Sequence, residues 1–243
     1  VKIPASVTEI GKYAFQSCAA LETVEFAPGS KLTAIPESAF TNSKNLKNIN
    51  LPDKLVTIGN QAFQNTGLTE VTLPSSVTSI GNAFNNCNSL RNITIGDGVT
   101  SIPMSAFLDC KFLSEVNLGN SVTAIGTYAF KNCVSLKEIT LGDKITTIGE
   151  QAFYNTSLKK IKLGAGVTLV EKEAFKFSKL TEVEFAVDNT GVAALQSIGD
   201  EAFVGTEITK FEIPETTNTL TLGGSLFKGC VSLTELKISS KVT

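Results

Sequence analysis

One phrase recurs about ten times along this chain of 243 residues, and its clearest marker is a phenylalanine. The phrase reads Val-Thr-x-Ile-Gly-x-x-Ala-Phe-x-x-Cys-x-x-Leu-x-x-Val-x-Leu. The marker residues are Phe15, Phe40, Phe63, Phe84, Phe107, Phe130, Phe153, Phe175, Phe203 and Phe227. Self-similarity at this period is typical of a solenoid, in which each repeat buries its apolar face only against its neighbours. We therefore predict a single elongated domain over residues 1–243. Both of its ends fall inside a repeat, and residues 241–243 open a further one.

Repeat six, residues 121–141, shows how one coil is predicted to run. Its end carries the Leu-x-x-Ile-x-Leu pattern of a short strand, with Ile139 and Leu141 inward and Glu138 and Thr140 on the opposite face. Successive coils would bring these strands side by side as a parallel sheet. The start of the repeat, residues 122–125, predicts a second and minor strand because it alternates and is β-branched.

The segment around the marker phenylalanine is predicted to turn rather than to extend. Gly126 marks a corner that leads into a single helical turn carrying Ala129 and Phe130. Two positions after the marker, eight of ten repeats have Asn, Asp or Gly, the residue types that best tolerate a left-handed backbone. This slot therefore predicts the turn that ends the short helix. The phenylalanines themselves are predicted to form the core.

Composition excludes several classes of function. The chain has 21 basic and 23 acidic residues, whereas nucleic-acid binders show a basic excess. No run of 18 apolar residues is present, so we expect no membrane insertion by this segment. The chain also lacks histidine, which removes Ser-His-Asp and Cys-His machinery. We expect no catalytic residue, no metal and no cofactor.

Five cysteines lie three residues after a marker phenylalanine, where the other repeats have Ser or Thr. They are Cys18, Cys87, Cys110, Cys133 and Cys230. A slot shared by Cys, Ser and Thr favours a small, mostly buried side chain, so free thiols are the first interpretation. A disulfide between consecutive repeats is the second, although parallel side chains suit its torsion poorly. A zinc site is the third, although the chain has no Cys-x-x-Cys pair.

The motif Ile-Gly-x-x-Ala-Phe-x-x-Cys and its surrounding phrase resemble the bacterial leucine-rich repeat of the BspA-like, or Treponema pallidum, type. The resemblance covers nearly the whole chain. It implies an α/β, right-handed solenoid of about ten coils of ~23 residues, with the parallel sheet on the concave face. It also implies a large cell-surface or secreted microbial protein that adheres to host proteins, host cells or other microbes. The departures from the pattern are an insertion at residues 186–194, Leu226 in the alanine slot, and an irregular segment at residues 214–218.

A partner would meet the outward residues of the sheet or a loop on the rigid scaffold. The candidate binding residues are Glu115, Asn117, Glu138, Thr140, Lys160, Lys162, Glu182 and Glu184 on the sheet, and Asp188 and Asn189 in the insertion. The sheet row is polar and lacks aromatics, so a solvated face is the plain alternative. Five aromatics fall outside the repeat pattern and are either partial cover for the core or a second binding candidate. They are Tyr13, Phe112, Tyr128, Tyr154 and Phe177.

Two functions remain open from the sequence. The first is a non-catalytic, monomeric module at the cell surface or outside the cell. It would bind a host or microbial surface protein or polysaccharide. The second is a structural spacer that holds another functional domain away from the cell.

Overall fold

The computed structural model describes residues 1–238 and shows a stack of about ten coils. Each coil contributes to three walls. The strand wall contains the strands at the ends of the repeats, the short-strand wall contains the strands at their starts, and the turn wall contains the segments around the marker phenylalanines. Residues 239–243, with the further repeat predicted to open at 241–243, lie outside the described part of the chain. The handedness of the coil and the concave shape of the strand wall stay predictions.

The strand wall consists of the longer strands. They are Lys2–Ile3, Thr23–Phe26, Asn48–Asn50, Glu70–Thr72, Asn92–Thr94, Glu115–Asn117, Lys160–Leu163, Glu182–Phe185, Lys210–Glu212 and Glu235–Lys237. Paired strands are parallel and match equivalent residues of neighbouring repeats, as Val116 matches Ile93. Alternation buries Ile161 and exposes Lys160 and Lys162, as expected for a sheet that covers a core on one side.

The strand wall is interrupted at three places within the described residues. One break separates Asn48–Asn50 from Glu70–Thr72, and another separates Glu182–Phe185 from Lys210–Glu212. At the third, the strand predicted at the end of repeat six is absent. There, among the described residues, no backbone hydrogen bond joins residues 138–141 to the strand Glu115–Asn117. The side chains nevertheless keep the predicted alternation, since Leu141 is buried and Thr140 is exposed. Burial pattern and strand pairing are thus separable here.

The short-strand wall confirms the predicted minor strand at the start of repeats two to ten. Its strands are Ala34–Ile35, Thr57–Ile58, Ser79–Ile80, Ser101–Ile102, Ala124–Ile125, Thr147–Ile148, Leu169–Val170, Ser197–Ile198 and Thr221–Leu222. They form one parallel sheet of three strands and one of six. The isoleucine or its equivalent points inward in each, and Ile125, Ile148 and Ile198 are fully buried.

The turn wall corrects the prediction of single helical turns, and with it the α/β class, because the described residues contain no helix. In repeat six, the N–H groups of Ala129, Lys131 and Cys133 each donate to the carbonyl three residues earlier, at 3.1–3.2 Å. Tyr128 and Asn132 have φ of 58° and 62°, so left-handed residues interrupt any helical run. The segment is therefore a chain of tight turns. The class is a parallel β-solenoid.

Two slots of the repeat have a left-handed backbone, one in all ten repeats and the other in nine. The slot two after the marker phenylalanine has a positive φ in all ten repeats, which confirms the turn predicted there. The slot two before the marker has a positive φ in nine repeats. In these nine repeats the second slot holds Tyr, Ser, Gln or Glu, types with no strong left-handed preference, so the sequence does not signal it.

Between coils, the turn wall forms a ladder whose hydrogen bonds all run the same way along the solenoid. The N–H groups of Tyr128, Phe130 and Asn132 donate to the carbonyls of Glu150, Ala152 and Tyr154 in the next coil, at 2.8–2.9 Å. The N–H groups between them, those of Ala129 and Lys131, are used in the local turns. The buried backbone is thus satisfied without a helix or a strand.

The core is a stack of marker phenylalanines. Phe40, Phe63, Phe84, Phe107, Phe130, Phe153, Phe175 and Phe203 are fully buried. Neighbouring rings lie 5.1–5.9 Å apart between centroids, with planes within 15° of parallel. The preceding alanine is fully buried in the same eight repeats. At the corner, a Cβ on Gly149 would lie 2.7 Å from a backbone carbon of Gly126, so the coils approach closely there.

The cysteine slot is explained by hydrogen bonds to the phenylalanine carbonyls. The thiols of Cys87 and Cys110 donate to the marker carbonyl one coil earlier, at 3.0 Å each. The Ser43 hydroxyl does the same at 2.6 Å, whereas the Thr156 hydroxyl donates within its own coil at 3.0 Å. Ser178 is the exception, because its buried hydroxyl has no partner among the described residues. All five cysteines are unpaired.

The two sequence departures in repeats nine and ten compensate each other. Ala193, in the insertion, forms a parallel bridge with Thr216, in the irregular segment. Its N–H donates to the carbonyl of Glu215 at 2.9 Å. Thr216 is 1% exposed, so this extra pairing is part of the packed structure. The phenylalanine stack continues past the insertion, with Phe203 and Phe227 still stacked at 5.9 Å.

Candidate binding faces

The structure places the predicted sheet residues in one exposed row on the strand wall. Glu115, Asn117 and Lys162 lie on strands and are exposed, and Glu138 and Thr140 are exposed in the unpaired segment of repeat six. The register sets Lys160 opposite Glu182 and Lys162 opposite Glu184. The predicted row is therefore geometrically continuous across repeats five to eight, although its backbone ladder is not.

The later part of this row is neutralised by ion pairs between neighbouring coils. Lys160 and Glu182 are 2.5 Å apart, and Lys210 and Glu235 are 2.7 Å apart. The hydrogen bond between Lys160 and Glu182 raises the pKa of the lysine and lowers the pKa of the carboxyl. Lys162 has no ion-pair partner among the described residues. Exposed pairs of this kind contribute little stability, so their main effect is on surface charge.

The earlier part of the row has a different charge. From repeats one to six its outward residues include Glu25, Glu70, Glu115 and Glu138, together with Asn and Thr, and no lysine. Of these carboxylates, Glu25 is paired with Lys2 at 3.4 Å. The described residues place no cation within ion-pair distance of Glu115 or Glu138. This part of the row is acidic and rich in amides and hydroxyls.

Shallow grooves follow two of the breaks in the strand wall. One, of about 570 Å³, lies at the first break and is lined by Glu25, Asn50 and Glu70 among others. A second, of about 450 Å³, lies between Glu115–Asn117 and residues 137–140. It adjoins a third, of about 230 Å³, whose lining includes Glu138, Lys162 and Glu184. All of the predicted sheet residues of repeats five to eight except Glu182 therefore line two neighbouring grooves.

The predicted loop residues are not among the lining of these grooves. Instead, the Asp188 carboxylate accepts hydrogen bonds from the N–H and hydroxyl of Thr190, at 2.8 and 2.6 Å, and from the N–H of Val192 at 3.2 Å. These hydrogen bonds lower the pKa of Asp188, and the bond from the Thr190 hydroxyl has the largest effect. Asn189 is exposed beside it. Asp188 thus shapes its own loop.

A cluster on the turn wall brings together aromatics that sequence reasoning treated singly. We call Tyr128, Lys131, Tyr154 and Phe177 the aromatic cluster. The Lys131 ammonium lies 5.0 Å from the ring centre of Tyr128 and 4.8 Å from that of Tyr154. Tyr154 and Phe177 meet edge to face at 5.5 Å. The sequence contains one sign of this cluster, because all four residues lie within two positions of a marker phenylalanine in repeats six to eight.

One member of the aromatic cluster, Phe177, departs from its repeat slot at a cost in stability. Phe177 has φ of 59° in the slot that holds Ser, Asn, Asp or Gly elsewhere, and Tyr128 is also left-handed. A left-handed backbone costs an L-residue about 1–2 kcal/mol, and it is least usual for bulky side chains. Phe177 is nonetheless 45% exposed as a residue. Its exposure is not a by-product of weak packing, because a Cβ on Gly205 would lie 2.6 Å from the ring.

The three buried cysteines, Cys87, Cys110 and Cys133, offer no reactive centre. Burial raises the pKa of Cys87 to about 11, and it raises the pKa of Cys110 and Cys133 well above the ordinary thiol value. Buried thiols with raised pKa values are inert as nucleophiles and poor as metal ligands. The described residues contain no cluster of three or more His, Cys, Asp or Glu with metal-site geometry. They also contain no helix with the length and apolarity to span a bilayer.

The coil with its parallel strands, buried leucine and isoleucine positions and stacked phenylalanines defines a leucine-rich-repeat solenoid. A family model, the BspA type leucine rich repeat region, matches six copies over residues 1–83, 81–194 and 196–243. The chain belongs to this BspA-type family. The resemblance predicted from the repeated motif is confirmed. No curated protein matches the chain.

Solved structures of bacterial leucine-rich-repeat proteins share the fold. A leucine-rich repeat protein from Bacteroides ovatus aligns over 100% of this chain with a TM-score of 0.71 and 27% identity. This chain spans 61% of that protein's length. The T. pallidum leucine rich repeat protein aligns over 64% of this chain and 75% of its own, with a TM-score of 0.57 and 28% identity.

Proposed function

We propose that this chain is a non-catalytic binding module of a microbial cell-surface or secreted protein. Its ligand would be a host or microbial surface protein or polysaccharide, bound on the strand wall. The family resemblance supports the surface location and the adhesive role. The structure supplies the support for the face, because the row of repeats five to eight is exposed, in register and grooved where the sheet is broken.

The observation that carries the proposal is that three charged side chains of these two grooves have no ion-pair partner among the described residues. They are Glu115, Glu138 and Lys162. In repeats nine and ten the equivalent charges are paired with each other. Charges left unpaired on a rigid surface can be matched by a partner, which gives specificity and raises the association rate. The candidates Asp188 and Asn189 stay secondary, since the Asp188 carboxylate is already occupied.

A charge-conserving swap tests the face. The segment would be presented to a panel of matrix and mucosal proteins and microbial polysaccharides, and binding would be followed by biolayer interferometry. The double variant Glu138→Lys/Lys162→Glu keeps the net charge of the chain but reverses the sign of the charge at both positions. We therefore expect it to abolish binding. The control Lys210→Glu/Glu235→Lys inverts an existing ion pair and is expected to bind normally.

The same experiment separates binding from the spacer alternative. A segment that binds no member of the panel at micromolar concentration would be a spacer. Equal binding by the swap and the control would move the site away from the strand wall of repeats five to eight. Labelling of intact cells with an antibody raised against the segment tests the surface location, and labelling only after lysis would contradict it.

A further inference from the structure

The aromatic cluster on the turn wall has the composition of a ligand site rather than of core cover. Tyr128, Tyr154 and Phe177 stand in three successive coils, so their rings follow one another along the solenoid. The Phe177 ring is held from below by Gly205 and flanked by the Lys176 ammonium at 5.5 Å. Lys176 in turn is fixed by Glu173 at 3.2 Å and by Glu201 at 2.5 Å. The exposed ring is therefore held in place before any partner arrives.

The two lysines of this region differ in their free charge. The Lys176 ammonium is neutralised by two carboxylates and is mostly buried, so it serves to position Phe177. The Lys131 ammonium has no carboxylate partner among the described residues. Its hydrogen bond goes to the Gln151 side-chain oxygen, and it lies between two tyrosine rings. Lys131 thus offers a positive charge to an incoming anion. The exposed Asn155 follows Tyr154 in the chain, and its side-chain amide N–H donates to the Asn132 side-chain oxygen at 3.0 Å.

We propose that the aromatic cluster binds a carboxylate-bearing saccharide. A sugar ring has C–H groups on its faces and hydroxyl groups around its edge, so it covers an aromatic ring while it hydrogen-bonds neighbouring amides and phenols. The carboxylate of an acidic sugar would meet the Lys131 ammonium, which no charge of the described chain balances. Rings in three successive coils suit a chain of sugars better than a single one. This site lies on a different wall from the strand-wall grooves and does not depend on them.

The cost of the site in stability is what separates it from core cover. An aromatic that merely covers the core would stabilise the fold, whereas Phe177 occupies a strained backbone and is itself an exposed residue. Residues in sparsely populated backbone conformations collect at functional sites. Phe177→Asn restores the residue most common in this slot, so we expect the melting temperature to stay equal or rise.

Tyrosine emission gives a direct readout, because the chain has no tryptophan and two of its three tyrosines lie in the aromatic cluster. The intact segment would be titrated with an oligosaccharide of alternating glucuronate and N-acetylglucosamine, by fluorescence and by calorimetry. Two further probes are the same oligosaccharide with its carboxylates reduced to alcohols, and an oligoglutamate peptide of matched charge. We expect the acidic saccharide to bind and change the emission, and the reduced form to bind at least about tenfold more weakly.

Three variants locate the site. Phe177→Asn and Lys131→Gln should each weaken the acidic saccharide by about tenfold or more while the protein stays folded. Phe112→Ser is the matched control, since Phe112 is 51% exposed and stands beside a single cation, Arg91, at 5.7 Å, away from the cluster. It should bind normally, as should Glu138→Lys/Lys162→Glu.

Several results would overturn the proposal. They are no binding of the acidic saccharide, equal binding of the reduced form, and unchanged binding by Phe177→Asn. Binding of the peptide without the saccharide would assign the cluster to a protein partner instead. If the strand-wall swap abolished saccharide binding and Phe177→Asn did not, the saccharide would belong to the strand wall. If only the strand-wall proposal fails, Phe177→Asn and Lys131→Gln should still weaken binding of the acidic saccharide.

Discussion

The turn wall joins all neighbouring repeats from one to ten by hydrogen bonds between their marker segments, whereas the strand wall loses its pairing at three places. The turn wall carries the phenylalanine stack, so every coil there has a stacked ring to align it, and the ring is fully buried in eight of the ten. The strand wall carries exposed side chains on its outer face, and these vary from repeat to repeat. The comparison indicates that the turn wall sets the stacking of the coils and the strand wall is free to vary. We therefore expect binding sites on the strand wall, where the outward side chains vary between repeats. On the turn wall we expect a binding site only at a repeat whose slot residue differs from the usual type.

The largest expected effect is the loss of one marker ring. Phe130→Ala removes a fully buried side chain stacked at 5.3 and 5.4 Å on its neighbours. We expect the free energy of unfolding to fall by about 3–5 kcal/mol, since truncation of a buried Phe also leaves a cavity. Denaturant unfolding followed by circular dichroism measures the change.

The strand wall of the same repeat provides the control for this substitution. Thr140→Ala changes an exposed residue of the unpaired segment and should alter stability by less than about 0.5 kcal/mol. Comparable losses of unfolding free energy for Phe130→Ala and Thr140→Ala would contradict this difference, because both walls would then contribute equally to stability.

The next effect in size is a loss of stability at alkaline pH. Burial raises the pKa of Cys87 to about 11 from 9.0, and it raises the pKa values of Cys110 and Cys133 as well. In the unfolded chain these thiols lose their protons near pH 9, while the folded chain keeps them. The stabilisation is therefore complete below about pH 9 and is lost as the pH rises through the folded pKa. For Cys87 alone, two pKa units amount to about 2.7 kcal/mol.

The triple variant Cys87→Ser/Cys110→Ser/Cys133→Ser isolates this titration. Serine already occupies the same slot at Ser43, where its hydroxyl donates to the carbonyl of Phe15, and it does not ionise in this range. We expect the unfolding free energy of the unsubstituted chain to fall more steeply than that of the variant between about pH 9 and pH 11. The lysine ion pairs titrate in both proteins and cancel. Parallel pH profiles would show that the thiols are accessible to water.

The sequence predicts the repeat, the core and the two strand walls because each depends on residue types in a fixed slot. Left-handed turns at Asn132 and its equivalents are predictable for the same reason, since Asn favours that conformation. The left-handed slot at Tyr128 is not, because contacts between coils impose it on residues without such a preference. The break at residues 138–141 is not predictable either, since its alternation matches that of paired repeats.

The candidate sites show a similar division. The exposed row with Glu138 and Lys162 follows from alternation alone, so the structure adds the register and the grooves. The aromatic cluster needs the relative positions of three repeats, because its members occupy different slots and meet only across coils. Read one repeat at a time, Tyr154 and Phe177 are isolated surface aromatics. Their function, like that of the row, is a proposal that the binding experiments address.

The smallest effect concerns the one repeat whose slot residue leaves the turn wall unsatisfied. The buried Ser178 hydroxyl has no partner among the described residues, and the carbonyl it would need, that of Phe153, already accepts the Thr156 hydroxyl. Cys87 follows Thr66 in the same arrangement and still reaches the shared carbonyl at 3.0 Å. The longer C–S bond allows the thiol to make this contact. Ser178→Cys should therefore raise the unfolding free energy by about 0.5–1.5 kcal/mol, the usual net value of one hydrogen bond.

Ser43→Cys is the matched substitution, because Ser43 already donates to Phe15 at 2.6 Å and has nothing to gain. If the slot is governed by these carbonyl contacts, Ser178→Cys stabilises the protein and Ser43→Cys does not, as thermal and denaturant unfolding of the two variants would show. An equal gain in both would mean that apolar burial of sulfur governs the slot instead. The unpaired Ser178 hydroxyl would then have little effect on the stability of the turn wall, just as the unpaired segment of repeat six has little effect on that of the strand wall.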